Sequence, residues 1–188
     1  EIAYAYYRHD EPESAIAAAD RFMKLYPDHP SLDYAYYLKG LTNFNRGRTF
    51  LDRFLAKDPS ERDTESVLEA FRSFEQVVNR YPQSRYTPDA EQRMLFLRDT
   101  LAQHEMHVAN YYMRSGAYLA GVNRAKHVVE NYPSTSAVGD ALVLMAKGYK
   151  VMGLKDLSAD VLRVLELNFP GHAGIAEVKS LVLSQTGG

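Results

Sequence analysis

The stretch Val128-Val129-Glu130-Asn131-Tyr132-Pro133 closes an apolar-rich helical run with an aromatic residue and a proline. Proline cannot donate to the helix ladder and pushes the residue before it out of the α region, so the Tyr-Pro pair is a helix stop. Versions of it recur as Phe22 to Pro27, Val77 to Pro82 and Leu165 to Pro170. In each, the aromatic ring is placed to fold back on the helix that it ends. Four such stops in one chain predict a repeat.

The surrounding composition is that of an ordinary folded chain. The 188 residues suffice for one large domain or two small ones, and 46% hydrophobic content supports a sizeable core. A net charge of −2 with no basic face gives no reason to expect nucleic acid. No apolar run reaches the length of a membrane span. There is no cysteine, so disulfides, thiolate metal sites and a cysteine nucleophile are excluded from this stretch. Tyrosine is abundant, with 14 copies and no tryptophan. Its apolar face and polar tip suit helix packing and peptide-binding surfaces alike.

Helical spacing runs the length of the chain, and no segment alternates as a strand. The opening Glu1-Ile2-Ala3-Tyr4-Ala5-Tyr6-Tyr7 reads as the middle of a helix without a cap, so further residues are expected upstream. Pro12 starts a second helix, and Pro30 or Ser31 a third, for which Gly47 is the expected stop. Residues 47–64 then break the rhythm as an insertion, with Phe50, Leu51, Phe54 and Leu55 as a short apolar patch. A helix from about Thr64 to Tyr81 follows. Thr87-Pro88-Asp89 starts a long one reaching about Ser115, along which Ala90, Met94, Leu97, Leu101, His104, Val108 and Tyr111 form a heptad stripe. The stripe is read as packing on neighbouring helices rather than as a coiled-coil seam. Helices at about 117–132, 136–152, 156–169 and 172–183 complete the chain.

Measured between prolines, the intervals are 55, 51 and 37 residues. The last fits a tetratricopeptide-like helix–turn–helix unit, and the two longer ones imply inserted residues. The fold expected is all-α: helical-hairpin repeats at about 1–29, 30–85, 86–135 and 136–171 with a terminal helix at about 172–185. They would form one superhelical solenoid with a long helix and a loop insertion.

Catalytic and metal motifs are not evident. His104-Glu105-Met106-His107 spaces its histidines three apart, where a zinc helix needs four, and His104 falls in the apolar stripe. Packing explains it better than ligation. The acidic run Asp58–Asp63 lacks the calcium-loop order, and capping plus solvation accounts for it. No enzyme, cofactor or metal is implied. What remains is surface. If the first helix of each hairpin lines a groove, Tyr4, Tyr7, Tyr34, Tyr37, Leu41 and Phe44 present an aromatic N-terminal half. Gln103, Met106, Asn110 and Met113, then Asp140, Val143, Lys147 and Lys150, present a more polar C-terminal half. The competing reading is that these aromatics pack between helices.

Several runs carry a family resemblance: Ala5-Tyr6-Tyr7-Arg8, Gly40-Leu41-Thr42-Asn43, Asp58-x-Ser60-x-Arg62-Asp63, and the positions from Leu101-Ala102 through Glu105, Val108-Ala109, Tyr111-Tyr112, Gly116-Ala117 and Asn123-Arg124 to Tyr132-Pro133. Over nearly its whole length, including both stretched intervals, the chain resembles the BamD family. These are the tetratricopeptide lipoproteins of the outer-membrane β-barrel assembly machinery of Gram-negative bacteria. The resemblance implies a further repeat and a lipid-bearing cysteine upstream of residue 1, which would be the only membrane attachment, at the periplasmic face of the outer membrane. It implies a non-enzymatic scaffold whose partners are the BamA periplasmic domain, other lipoproteins of the machinery, and the aromatic-rich C-terminal signals of unfolded barrel proteins. On that pattern the tyrosine groove receives the signal. BamA docks at Arg124 with Asn123, Arg114 and His104, although Arg114-Ser115 departs from the acidic-basic pair expected there. Another periplasmic tetratricopeptide adaptor of cell-envelope coordination is the alternative.

Overall fold

The computed structural model describes residues 1–54 and 64–181. The described residues form α1 (Ile2–Arg8), α2 (Pro12–Leu25), α3 (Leu32–Phe54), α4 (Thr64–Arg80), α5 (Thr87–Arg114), α6 (Tyr118–Asn131), α7 (Ala137–Val151), α8 (Lys155–Asn168) and α9 (Gly174–Ser180), with no strand among them. The chain divides into two compact units, Glu1–Leu97 and Arg98–Gly188. α5 contributes its first turns to one and the remainder to the other.

The four aromatic-proline stops have one local structure. Tyr26, Tyr132 and Phe169 leave their helices in nearly the same non-helical conformation, at φ −131°, −127° and −136° with ψ 64°, 49° and 59°. After each stop the backbone closes a turn around the proline: His29 N–H donates to the Tyr26 carbonyl, Ser84 to Tyr81, Thr135 to Tyr132 and His172 to Phe169, at 2.9–3.2 Å. A second turn follows at once, from Leu32 to His29, Thr87 to Ser84, Val138 to Thr135 and Ile175 to His172. Tyr132 and Phe169 fold back onto the core of the second unit, as their position at a helix end predicts. Tyr26 stays 55% exposed, with its ring against those of its local neighbours Phe22 and His29.

A different turn joins the two helices of a hairpin. Among the described residues, Asp10, Gly116 and Gly153 have positive φ, at 58°, 82° and 78°. At each, the following residue's N–H reaches back five positions (Glu11 to Tyr6, Ala117 to Tyr112, Leu154 to Tyr149), while the positive-φ residue donates to the carbonyl three before it. This left-handed closure satisfies the orphan carbonyls of the preceding helix, which is why glycine occupies two of the three positions. Gly47 makes no such turn. α3 runs on through it to Phe54, correcting the expectation of a stop there. An interior glycine costs a helix only about 1 kcal/mol, and no proline follows before Pro59 to enforce an exit. Of the apolar patch, Phe50, Leu51 and Phe54 therefore continue α3, whereas Leu55 and the acidic run 58–63 lie outside the described residues. The last helix starts at Gly174, two residues later than expected, and its predicted extension beyond Leu181 also lies outside them.

In the first unit, Ala15 and Ala19 of α2, Leu32, Ala35 and Leu38 of α3, Val67, Ala70, Phe74 and Val77 of α4, and Ala90 and Leu97 of α5 are buried. Small residues let the helices approach. A Cβ placed on Gly40 of α3 would lie 2.6 Å from the Phe74 ring, so glycine here is a space requirement. Gly40→Ala is accordingly expected to destabilise the protein by about 1–2 kcal/mol, because overpacking outweighs the gain in helix propensity. A thermal midpoint several degrees lower would register it; an unchanged or raised midpoint would show that the Phe74 ring yields freely. In the second unit α7 is central and apolar on most sides. Its Ala137, Ala141, Leu144 and Met145 pack on Ala102, Met106 and Ala109 of α5 and Val122, Ala125 and Val128 of α6. Its Val138, Leu142, Val143 and Ala146 pack on Leu165 of α8 and Val178 of α9. Met106 and Val143, expected on a groove, are thus core residues. Of the heptad stripe of α5, Ala90, Leu97 and Leu101 are buried and Met94, His104 and Val108 half-buried, but Tyr111 is 59% exposed, so the packing expected of the stripe stops short of its last position.

Candidate functional site

In the first unit α3 carries Tyr34, Tyr37, Leu41 and Phe44 at helical spacing, and α1 carries Tyr4 and Tyr7. The structure brings the tyrosines into one aromatic face. The Tyr4 and Tyr7 rings lie 6.4 Å apart, and the Tyr7 hydroxyl accepts a hydrogen bond from Asn45 Nδ2 of α3 at 3.0 Å. Tyr86, just before α5, joins them: its ring stacks on Tyr37 at 4.7 Å and an interplanar angle of 20°, and meets Tyr34 at 5.4 Å. Burial raises the Tyr34 hydroxyl above its ordinary pKa, reinforced by Tyr86 and Tyr4 beside it. Tyr4 is 42% exposed, while Tyr7, Tyr34, Tyr37, Leu41 and Tyr86 are half-buried. Phe44 is buried against Phe74 and Phe96, so it backs this face rather than lining it.

A polar lock holds the central tyrosine. The Tyr37 hydroxyl donates to Asp89 Oδ2 at 2.7 Å, and Arg93 Nε donates to the same oxygen at 2.5 Å. The Arg93 guanidinium also lies over the Phe44 ring at 4.7 Å. Burial, then the bond to the Asp89 carboxylate, pushes the Tyr37 pKa up to about 12. Burial works to raise the Asp89 carboxyl as well, but the hydrogen bonds from Arg93 and Tyr37 outweigh it and hold it below the usual carboxylate value. Tyr37 therefore presents a fixed ring and has no free hydroxyl.

The second unit holds an open hollow of about 390 Å³ between α5 and α6, lined by Tyr112, Ala120, Asn123, Arg124 and His127. Arg124 Nη1 donates to Glu105 Oε2 at 3.1 Å; the arginine side chain is 47% exposed and the carboxylate 15%. Of the four proposed docking residues, Asn123 and Arg124 line the hollow. Arg114 is exposed at the end of α5 and is not part of the lining. His104 is half-buried beside Glu105, and desolvation lowers its pKa below the ordinary imidazole value. Among the described residues, no group of three or more His, Asp or Glu is arranged to hold a metal ion, and no helix is long and apolar enough to cross a membrane.

The model of the YfiO family, described as outer membrane lipoprotein, matches residues 1–164. The chain belongs to this family. Its relatives include outer membrane protein assembly factor BamD of Neisseria gonorrhoeae, 45% identical over 170 residues that make up 90% of this chain and 64% of that protein. BamD of Xylella fastidiosa is 39% identical over 92% of this chain and 59% of its own length. BamD of Vibrio cholerae is 33% identical over 89% of this chain and 70% of its own. The chain thus spans less than two thirds of the Neisseria and Xylella proteins.

Within this YfiO chain, the residues that complete the tyrosine face are Tyr86, Asp89 and Arg93, none of which the helical spacing of α1 and α3 selects. Tyr86 had a signal all the same. It stands four residues after its stop proline, where the other three stops have Ser31, Ala137 and Gly174. One aromatic among small residues at a repeated position marks the unit in which that position meets something flat. Tyr112, Ala120 and His127 of the hollow carry no comparable mark.

Proposed function

We propose that this chain is the tetratricopeptide part of a non-enzymatic subunit of the β-barrel assembly machinery, receiving unfolded outer-membrane proteins and docking on BamA. The observation that carries the reading is the family match over residues 1–164, joined to relatives named as assembly factors. The periplasmic face of the outer membrane is the matching location, with the lipid anchor that the family description implies. The repeats proposed for it, at about 1–29, 30–85, 86–135 and 136–171 with a terminal helix, make one solenoid.

The tyrosine face supports substrate capture. Half-buried rings already locked in place lose little freedom on binding, and each aromatic pair contributes roughly 0.5–1.5 kcal/mol beyond area burial. Two or three such pairs favour weak, reversible capture, which suits a subunit that hands its substrate on. The hollow at Asn123 and Arg124 supports the docking assignment, since it joins a partly exposed guanidinium to an aromatic wall.

The test is a titration of the chain with a labelled peptide ending in an aromatic residue. Tyr34→Ala combined with Tyr86→Ala is expected to weaken binding about tenfold, from the loss of two aromatic pairs. These positions are preferable to Phe44, whose burial would confound binding with stability. Equal affinity for the double variant and the parent would remove the tyrosine face from substrate binding.

A further inference from the structure

The wall of the hollow carries a histidine whose proton the surrounding bonds place. His127 and Asn131 stand one turn apart near the end of α6, both exposed. Asn131 Nδ2 lies 3.0 Å from the main-chain carbonyl oxygen of His127 and 2.9 Å from its ring Nδ1. A carbonyl oxygen only accepts, so the atom facing it is the amide nitrogen and not the amide oxygen. That nitrogen has two hydrogens, and the second serves Nδ1. A ring nitrogen that meets an N–H carries its lone pair there, so the proton of the imidazole sits on Nε2. The ring also stands edge-to-face with Tyr132, at 5.8 Å and 81°, and is held from two sides.

With Nδ1 turned to its own helix, the outer nitrogen is what His127 offers to the hollow that it lines with Asn123 and Arg124. Arg124 stands three residues before it, and side chains three apart on a helix are neighbours. Arg124 Nη1 is spent on Glu105 at 3.1 Å, which leaves other N–H donors of its planar fork. The two residues therefore present N–H donors side by side beside the ring of Tyr112. The group that fits between them is an oxygen acceptor. A donor from a partner would meet a donor.

We propose that His127 is a specificity-determining residue of the hollow: its Nε2–H, fixed in place by Asn131, donates to an oxygen of the docked partner. Asn131 acts through His127 and is a positioning residue. It removes the alternative tautomer, in which Nε2 would be an acceptor, and so decides which kind of partner group the hollow takes. This inference rests on the hollow being the BamA-docking surface, and it names the chemistry that a partner has to bring to it.

The experiment titrates the 188-residue chain and its variants with the BamA periplasmic domain. His127→Ala is expected to bind about 3–10-fold more weakly, from the loss of one hydrogen bond. The amide N–H of a glutamine reaches about as far as the imidazole Nε2–H, whereas the shorter asparagine stops near Nδ1. His127→Gln should therefore stay within about twofold of the parent, and His127→Asn should lose as much as His127→Ala. An equal loss in all three variants, or a loss in none, overturns the donor assignment. Asn131→Ala should weaken binding about twofold in the parent and not at all in His127→Ala, the coupling expected of a residue that acts through another. A loss in both backgrounds, or in neither, overturns its positioning role. Nitrogen NMR of the ring in the free chain gives a readout that shape alone does not set: the proton is expected on Nε2, and a ring protonated on Nδ1 instead overturns the proposal. Parental binding by Arg124→Glu, or no binding by the parent, would sink the hollow as the docking surface, and this inference with it.

Discussion

Phe74→Ala is expected to lower the unfolding free energy of the first unit by about 3–5 kcal/mol, the range for deleting a fully buried phenylalanine. The ring is 0% exposed, fills the space left by Gly40, and packs edge-on to Phe44 and at a tilt to Tyr37. Its removal opens a cavity that neither Gly40 nor the locked Tyr37 is placed to fill. Because Tyr37 rests on Phe74 at 6.0 Å, the aromatic face should loosen together with the core. Hydrogen exchange read by segment is the suitable measurement, since a chain of two compact units need not unfold in one step. Protection should fall across residues 1–97 well beyond any change in 98–181. A loss below about 1 kcal/mol would mean that the site collapses around the smaller side chain and that Phe74 is not the keystone of this packing.

Arg124→Glu should cut recovery of the complex with BamA at least about tenfold, with little change in stability. The pair with Glu105 is open to solvent on its arginine side and contributes only about 0–1 kcal/mol to folding, so the thermal midpoint should move by a few degrees at most. At an interface the same reversal is far more severe. Losing one partner of a buried charge pair there costs about 2–5 kcal/mol, and a second carboxylate beside Glu105 would repel the ligand that the arginine attracts. Asn123 and His127 flank it on the same wall, so Asn123→Ala should weaken recovery less, by shape alone. Recovery of BamA at parental levels by Arg124→Glu would take this hollow out of the docking surface.

The helices were legible in sequence because their signals are local. Each aromatic-proline stop acts through the φ restriction of proline on its immediate neighbours, and all four produce the same pair of turns. Gly116 and Gly153 were legible as exits for the same reason. Gly47 misled because a glycine permits a left-handed turn without compelling one, and the helical residues beyond it carried α3 onward. The candidate site was half legible. Tyr4, Tyr7, Tyr34 and Tyr37 follow from helical spacing, which decides which side chains share a face. That spacing does not decide how deeply a face is covered, and Phe44, two turns beyond Tyr37 along α3, lies beneath Phe96 and Arg93.

By itself, then, the order of residues determined an all-helical chain cut at Pro27, Pro82, Pro133 and Pro170, and the family to which it belongs. Those properties reside in bonds and dihedrals a few residues apart. Only the tertiary structure decided that Tyr86 completes the aromatic face and that Asp89 and Arg93 lock Tyr37 from 52 and 56 positions away. Contacts between distant segments depend on how helices are stacked, and the spacing within any one helix does not contain that information.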